Sequence, residues 1–158
     1  MVMHINLKKL VKNLAIPLGV GLSSGFFTRD GVESFNAMAI KPFFMPPGWA
    51  FPVAWTILYI LMGIAAYIIE LAPDSKAKGF AQKLYYVQLL FNFCWSFIFF
   101  SLGSYLFAFI WIIILWALII ATTLEFNKIE AKAAYLMIPY IIWVTFASVL
   151  NFSVYLLN

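Results

Sequence analysis

The chain has 158 residues, 65% of them hydrophobic and 20% aromatic, with only ten basic and six acidic side chains. That size suits one domain, but the composition excludes an ordinary soluble one and points to a membrane protein. A single histidine (His4) and a single cysteine (Cys94) leave no basis for a structural zinc site, a metal-hydrolase centre or a disulfide framework. The formal charge of +4 is dispersed over short polar segments rather than gathered into a basic patch. It therefore reads as a signature of orientation in a bilayer, and no nucleic-acid partner is expected.

Charged residues are missing from Asn13 to Thr28, Pro42 to Ile69, Leu84 to Leu124 and Ala133 to Asn158, runs of 16, 28, 41 and 26 residues. A spanning helix uses roughly 17 to 25 apolar residues, so the runs hold one, one, two and one spans. The predicted architecture is a single all-α, five-helix transmembrane domain over residues 1–158, with spans near 11–27, 48–69, 82–100, 105–124 and 133–156.

The first span follows Lys8, Lys9 and Lys12 and contains Pro17, which should kink it. Gly21 and Gly25 form a GxxxG pair suited to close backbone approach. The same start also fits a secretory signal, with Ser23, Ser24 and Gly25 as small residues near a cleavage point. Thr28 to Pro47 reads as a loop ending in a proline cluster at 42, 46 and 47. Prolines disfavour helix just before them and pre-set the first turn after them, so the second helix should start near Gly48. Glu70 to Gly79 is a polar loop. Ser101-Leu102-Gly103-Ser104 divides the longest run by a turn. Glu125 to Lys132 is the last loop, and Pro139 should bend the fifth helix.

Eight of the ten lysines and arginines fall on the N-terminal side of this topology, with only Arg29 and Lys41 opposite. The imbalance predicts a cytoplasmic N-terminus in the plasma membrane, with the proline-rich loop outside. No predicted span contains a firmly placed ionisable residue, which disfavours ion coupling. The polar groups that remain are amides and aromatics. Gln88, Asn92 and Trp95 are spaced i, i+4, i+7 and share one helix face. Tyr140, Trp143, Ala147, Leu150 and Asn151 do the same in the last span, and Trp55, Thr56 and Tyr59 lie in the second. An intramembrane amide more often bonds a neighbouring helix than a ligand, and tryptophans also serve as packing or interfacial residues. Together, Trp55, Trp95 and Trp143 can line a flat apolar cavity with a few amides, a surface suited to a planar hydrophobic ligand.

Four blocks in order carry a resemblance. They are Lys41-Pro42 with Pro46-Pro47-Gly48-Trp49; Trp55 with Tyr59 and Gly63; Gln88, Asn92 and Trp95 with Phe100; and Pro139-Tyr140 with Trp143, Phe146, Ala147, Leu150 and Asn151. The chain resembles the translocator protein family, also called tryptophan-rich sensory proteins or TspO. The resemblance implies a five-helix bundle, commonly a homodimer, that binds porphyrins and similar flat ligands without a covalently bound cofactor. It implies ligand-binding roles for Trp55, Asn92, Trp95, Trp143, Ala147 and Leu150, beneath a lid loop bearing Lys41, Pro42, Pro46 and Pro47. Trp55 and Trp143 match the pair implicated in light-dependent porphyrin breakdown by some members, and would be catalytic only in that chemistry. Phe44 and Phe35-Asn36 stand where the family usually has tryptophan and Trp-Tyr, Phe107 and Trp111 stand where its fourth helix commonly has Trp and Asp, and the C-terminal cholesterol consensus is absent. The leading expectation is a membrane binding and sensory protein for tetrapyrroles. The alternatives are a light-dependent porphyrin-degrading photo-oxidant and, third, a transporter. No Ser/His/Asp or Cys/His set supports ordinary nucleophilic catalysis.

Overall fold

A computed structural model describes residues 4–158. Five helices follow one another: α1 (Leu7–Met38), α2 (Ala50–Leu71), α3 (Lys76–Ser96) continuing into a π-helical turn (Phe97–Ser101), α4 (Tyr105–Ile129) and α5 (Ala131–Leu157). All five are long and apolar enough to cross a membrane. Their packing runs α1, α2, α5, α4, α3 around the bundle, and α3 closes back onto α1 mainly through its π-helical end.

Each helix turns a periodic stripe inward. In α4 the stripe is Ala108, Ile112, Leu115, Ile119, Thr122 and Phe126, all buried, while Leu106, Ile110, Ile113 and Ile114 on the other side are exposed. Apolar residues on both faces are what a helix needs when one neighbour is protein and the other is lipid.

The helices outrun the uncharged segments. The first span is not confined to 11–27, because α1 continues through Arg29, Asp30 and Glu33 to Met38, taking in the first half of the expected Thr28–Pro47 loop. The helix persists because nothing in Thr28–Met38 forbids it and its inner face is used. Thr28 and Phe35 are buried there, and a side chain at Gly31 would collide with the Phe100 carbonyl. The last polar loop likewise shrinks from Glu125–Lys132 to Glu130 alone. Pro17 and Pro139 lie inside α1 and α5 without ending them.

The divided third run appears as expected, with Gly103 at φ +60°, a left-handed conformation that glycine adopts freely. Just before it, Leu102 N–H bonds the Phe97 carbonyl at 3.0 Å, the i→i+5 bond of the π turn. At the opposite end of the bundle, the buried Lys78 ammonium donates to the Glu70 and Ala72 carbonyls at 2.9 and 2.7 Å, capping the C-terminus of α2. Its 3.0 Å contact with Asp74 holds that carboxyl below the ordinary aspartate range.

Close approach of α1 to α2 depends on glycine. A methyl at Gly63 would stand 2.7 Å from the Asn13 carbonyl oxygen and 2.9 Å from Leu14 Cα. Both are backbone atoms, so Gly63→Val should force the helices apart and cost about 1–3 kcal/mol of stability, read as a lowered thermal midpoint in detergent. The expected Gly21/Gly25 pair does not act as a unit. Gly21 is packed against the Tyr59 ring, whereas a side chain at Gly25 would meet open space.

Candidate ligand cavity

The end of the bundle that carries the 39–49 loop holds a cavity of about 950 Å³, within the roughly 300–1,000 Å³ usual for small-molecule sites. Its walls come from α1, the 39–49 loop, the first turns of α2, the end of α3 and the middle of α5.

The helical spacing of α5 delivers Trp143, Ala147, Leu150 and Asn151 to one wall, and Trp55 and Tyr59 continue it from the neighbouring α2. Trp55 stacks on Tyr59 with ring centroids 5.6 Å apart, and meets Trp143 edge to face at 6.4 Å. Such offset and edge-to-face arrangements fit the aromatic quadrupole and hold the rings in place. Trp95 stacks on Phe99 at 5.2 Å, and its indole N–H donates to Asn151 Oδ1 at 3.1 Å. Asn151 Nδ2 in turn donates to the Tyr105 carbonyl at 2.9 Å. The Trp143 indole nitrogen is buried without a hydrogen-bond partner among the described residues.

Five of the six expected ligand residues, Trp55, Trp95, Trp143, Ala147 and Leu150, thus stand together on the cavity wall, as do Lys41, Pro42, Pro46 and Pro47 from the lid. Asn92 does not. It is 2% exposed and lies behind the wall, because its amide is taken up by other helices. Tyr59 O–H donates to Asn92 Oδ1 and Asn92 Nδ2 donates to the Tyr140 oxygen, both at 2.7 Å. Tyr140 O–H donates to Gln88 Oε1 at 2.9 Å. This chain ties α2, α3 and α5 together in the bundle core, and through Tyr59 it sets one wall of the cavity. The shared face of Gln88, Asn92 and Trp95 does point inward, but only Trp95 of the three reaches the cavity.

Sequence reasoning left Phe51, Phe99 and Tyr59 out of the site. Tyr59 carried a signal, being one turn from Trp55 on the same face, whereas Phe99 reaches the wall from the π-helical turn, whose register no apolar periodicity reveals.

The lid is held by few polar ties. Asn158 Oδ1 accepts the Ile40 N–H at 2.9 Å and Asn158 Nδ2 donates back to the Ile40 carbonyl at 2.8 Å. Phe44 packs edge-on against Phe146 of α5, at 6.4 Å. Asn158→Ala should therefore loosen the loop at its base. A net hydrogen bond contributes about 0.5–1.5 kcal/mol, so amide exchange at Ile40 should rise roughly two- to tenfold while Val144, buried in the middle of α5, is unaffected. Unchanged exchange at Ile40 would show that the prolines alone hold the lid.

The fold and site define a five-helix membrane protein built around an aromatic, proline-lidded cavity. The TspO/MBR family model matches residues 13–157. A "Tryptophan-rich protein TspO" of Archaeoglobus fulgidus is 40% identical over 157 residues, covering 98% of this chain and 99% of that protein. The human "Translocator protein" is 30% identical over 144 residues, covering 90% of this chain and 85% of its own. A "Tryptophan-rich sensory protein" of Cereibacter sphaeroides is 38% identical over 118 residues, 75% of this chain and 73% of its own. The chain belongs to the TspO/MBR family.

Proposed function

We propose that this protein is a membrane receptor for porphyrins and similarly flat hydrophobic ligands. The observation that carries the reading is the combination of aromatic walls with a single charged group, Lys41, among the residues lining the cavity. An apolar plate with an acidic edge, as in protoporphyrin and its propionates, complements that surface. Lys41 is exposed, with its ammonium 5.4 Å from the centre of the Phe35 ring and 2.9 Å from the Asn36 carbonyl, so it can turn to a carboxylate without leaving a buried charge behind.

The test is a titration of purified protein in the dark, followed by tryptophan quenching. Protoporphyrin should bind, and Lys41→Gln should weaken it two- to fivefold, since an exposed ion pair contributes about 0–1 kcal/mol, while the dimethyl ester binds both proteins alike. Absence of quenching in the wild type would refute the receptor reading.

A second reading is favoured by the Trp55–Trp143 contact, which puts two oxidisable indoles on the cavity wall. Under light, an excited porphyrin could react with oxygen or with these rings and be degraded. Illumination of the bound complex separates the two: loss of the porphyrin spectrum that requires Trp55 or Trp143 supports photochemistry, and a stable spectrum supports sensing alone. Transport ranks third, because the cavity contains no carboxylate or histidine to couple an ion. The same proposal places the protein in the plasma membrane as a homodimer with its N-terminus cytoplasmic. A cysteine introduced at Ser34 should then react only from outside, and reaction from the cytoplasmic side would reverse the orientation.

A further inference from the structure

Helix α1 changes partners along its length. Near its N-terminus it lies against α2, where Asn13 and Leu14 touch Gly63, and one step further Gly21 touches Tyr59. Beyond Gly25 it has crossed to the end of α3. Gly31 rests on the Phe100 carbonyl, and Phe35 packs on Phe99 and Phe100 with centroids 5.3 and 5.6 Å away. The π turn, which displaces the local backbone relative to a regular helix, supplies this second landing place. Two helices that touch at one end and diverge at the other leave a wedge between them.

The wedge coincides with one side of the cavity. Leu22 and Phe26 of α1 line the cavity and yet are 77% and 59% exposed. Facing them from α2, Pro52 and Thr56 also line the cavity and are exposed. A side chain at Gly25, between Leu22 and Phe26, would meet nothing within 4 Å. These residues are the rim of a lateral mouth.

The mouth is framed by uncharged segments, the composition that a lipid-facing surface requires. Leu22, Gly25 and Phe26 belong to the uncharged segment 13–28, and Pro52 and Thr56 to the uncharged segment 42–69. The neighbouring charges, Arg29 and Lys41, lie beyond the rim, and the 39–49 loop covers the cavity on the water side. We infer that the gap between the outer halves of α1 and α2 is a portal through which apolar, membrane-dissolved ligands enter the cavity sideways from the bilayer. The inference rests on the cavity being a ligand site. It adds that the relevant ligand concentration is that in the membrane, and that Gly25 keeps the doorway clear.

The test needs no knowledge of the physiological ligand. In a Cys94→Ala background reconstituted in vesicles, Ala147→Cys places a thiol on the cavity wall. Its modification is followed with N-pyrenylmaleimide, which dissolves in the bilayer, and with a charged methanethiosulfonate, which does not. The pyrene reagent should react, and adding Gly25→Phe should slow it at least tenfold without lowering the thermal midpoint, because the new ring occupies empty space. Thr56→Phe closes the opposite rim and should do the same, so the result does not hang on one variant folding. The slow reaction of the charged reagent, which must pass the lid, should be unaffected by either change. A pyrene rate indifferent to both rim variants, or a charged reagent reacting as fast as pyrene, would overturn the portal. Failure of protoporphyrin to quench the wild-type protein would instead refute the receptor reading and leave the portal result standing on the thiol rates.

Discussion

Ala147→Leu is expected to cut porphyrin affinity five- to 150-fold while leaving the fold intact. Ala147 is one turn from Trp143 on α5, and its methyl forms part of the cavity wall. A leucine there projects three further carbons into the space where a flat ligand would lie against the indoles. Forcing extra carbons into a filled site costs about 1–3 kcal/mol, and each 1.4 kcal/mol is a factor of ten in affinity. In the free protein the same atoms enter the open cavity, so the thermal midpoint should scarcely move. If the residue served only helix packing, the pattern would invert, with a depressed midpoint and full affinity in the protein that remains folded. Dark titration and a melting curve on the same sample distinguish the two.

Asn92→Ala is expected to act in the opposite way, chiefly on stability. Its removal strands the Tyr59 hydroxyl, which has Asn92 as its acceptor, and takes one donor from Tyr140, which keeps Gln88. Both tyrosines are buried and cannot turn to water. An unpaired buried group costs about 1–3 kcal/mol, above the mean of about 0.6 kcal/mol for interhelical hydrogen bonds in a membrane protein, because here one amide serves two helices at once. Gln82→Ala, on a half-buried residue in the early turns of α3, should stay within about 0.5 kcal/mol. Binding should weaken only as far as the Tyr59 ring, stacked on Trp55, loses its fixed position. Equal unfolding midpoints for Asn92→Ala and wild type would remove the network from any structural role.

Composition and charge spacing were sufficient to read five membrane helices in this chain, since a bilayer demands long uncharged runs and marks their ends with lysine, arginine and acid. They did not mark the ends of the helices. The charges at Arg29, Asp30 and Glu33 signal departure from hydrocarbon, but a helix outside hydrocarbon persists wherever its inner face finds partners, as Phe35 does on Phe99 and Phe100. Spacing also placed Trp143, Ala147 and Leu150 on a common face, because 3.6 residues per turn is a local property of the chain. Whether an inward-facing residue borders a cavity or a neighbouring helix is not local. Asn92 and Trp95 share a face, yet Tyr59 and Tyr140 consume the amide while the indole reaches the cavity. The same holds for Gly21 and Gly25, identical in motif, one packed under Tyr59 and the other beside open space. Only the divergence of α1 from α2 toward the π turn separates them, and that angle arises from contacts between segments more than sixty residues apart in sequence, such as Gly31 with Phe100.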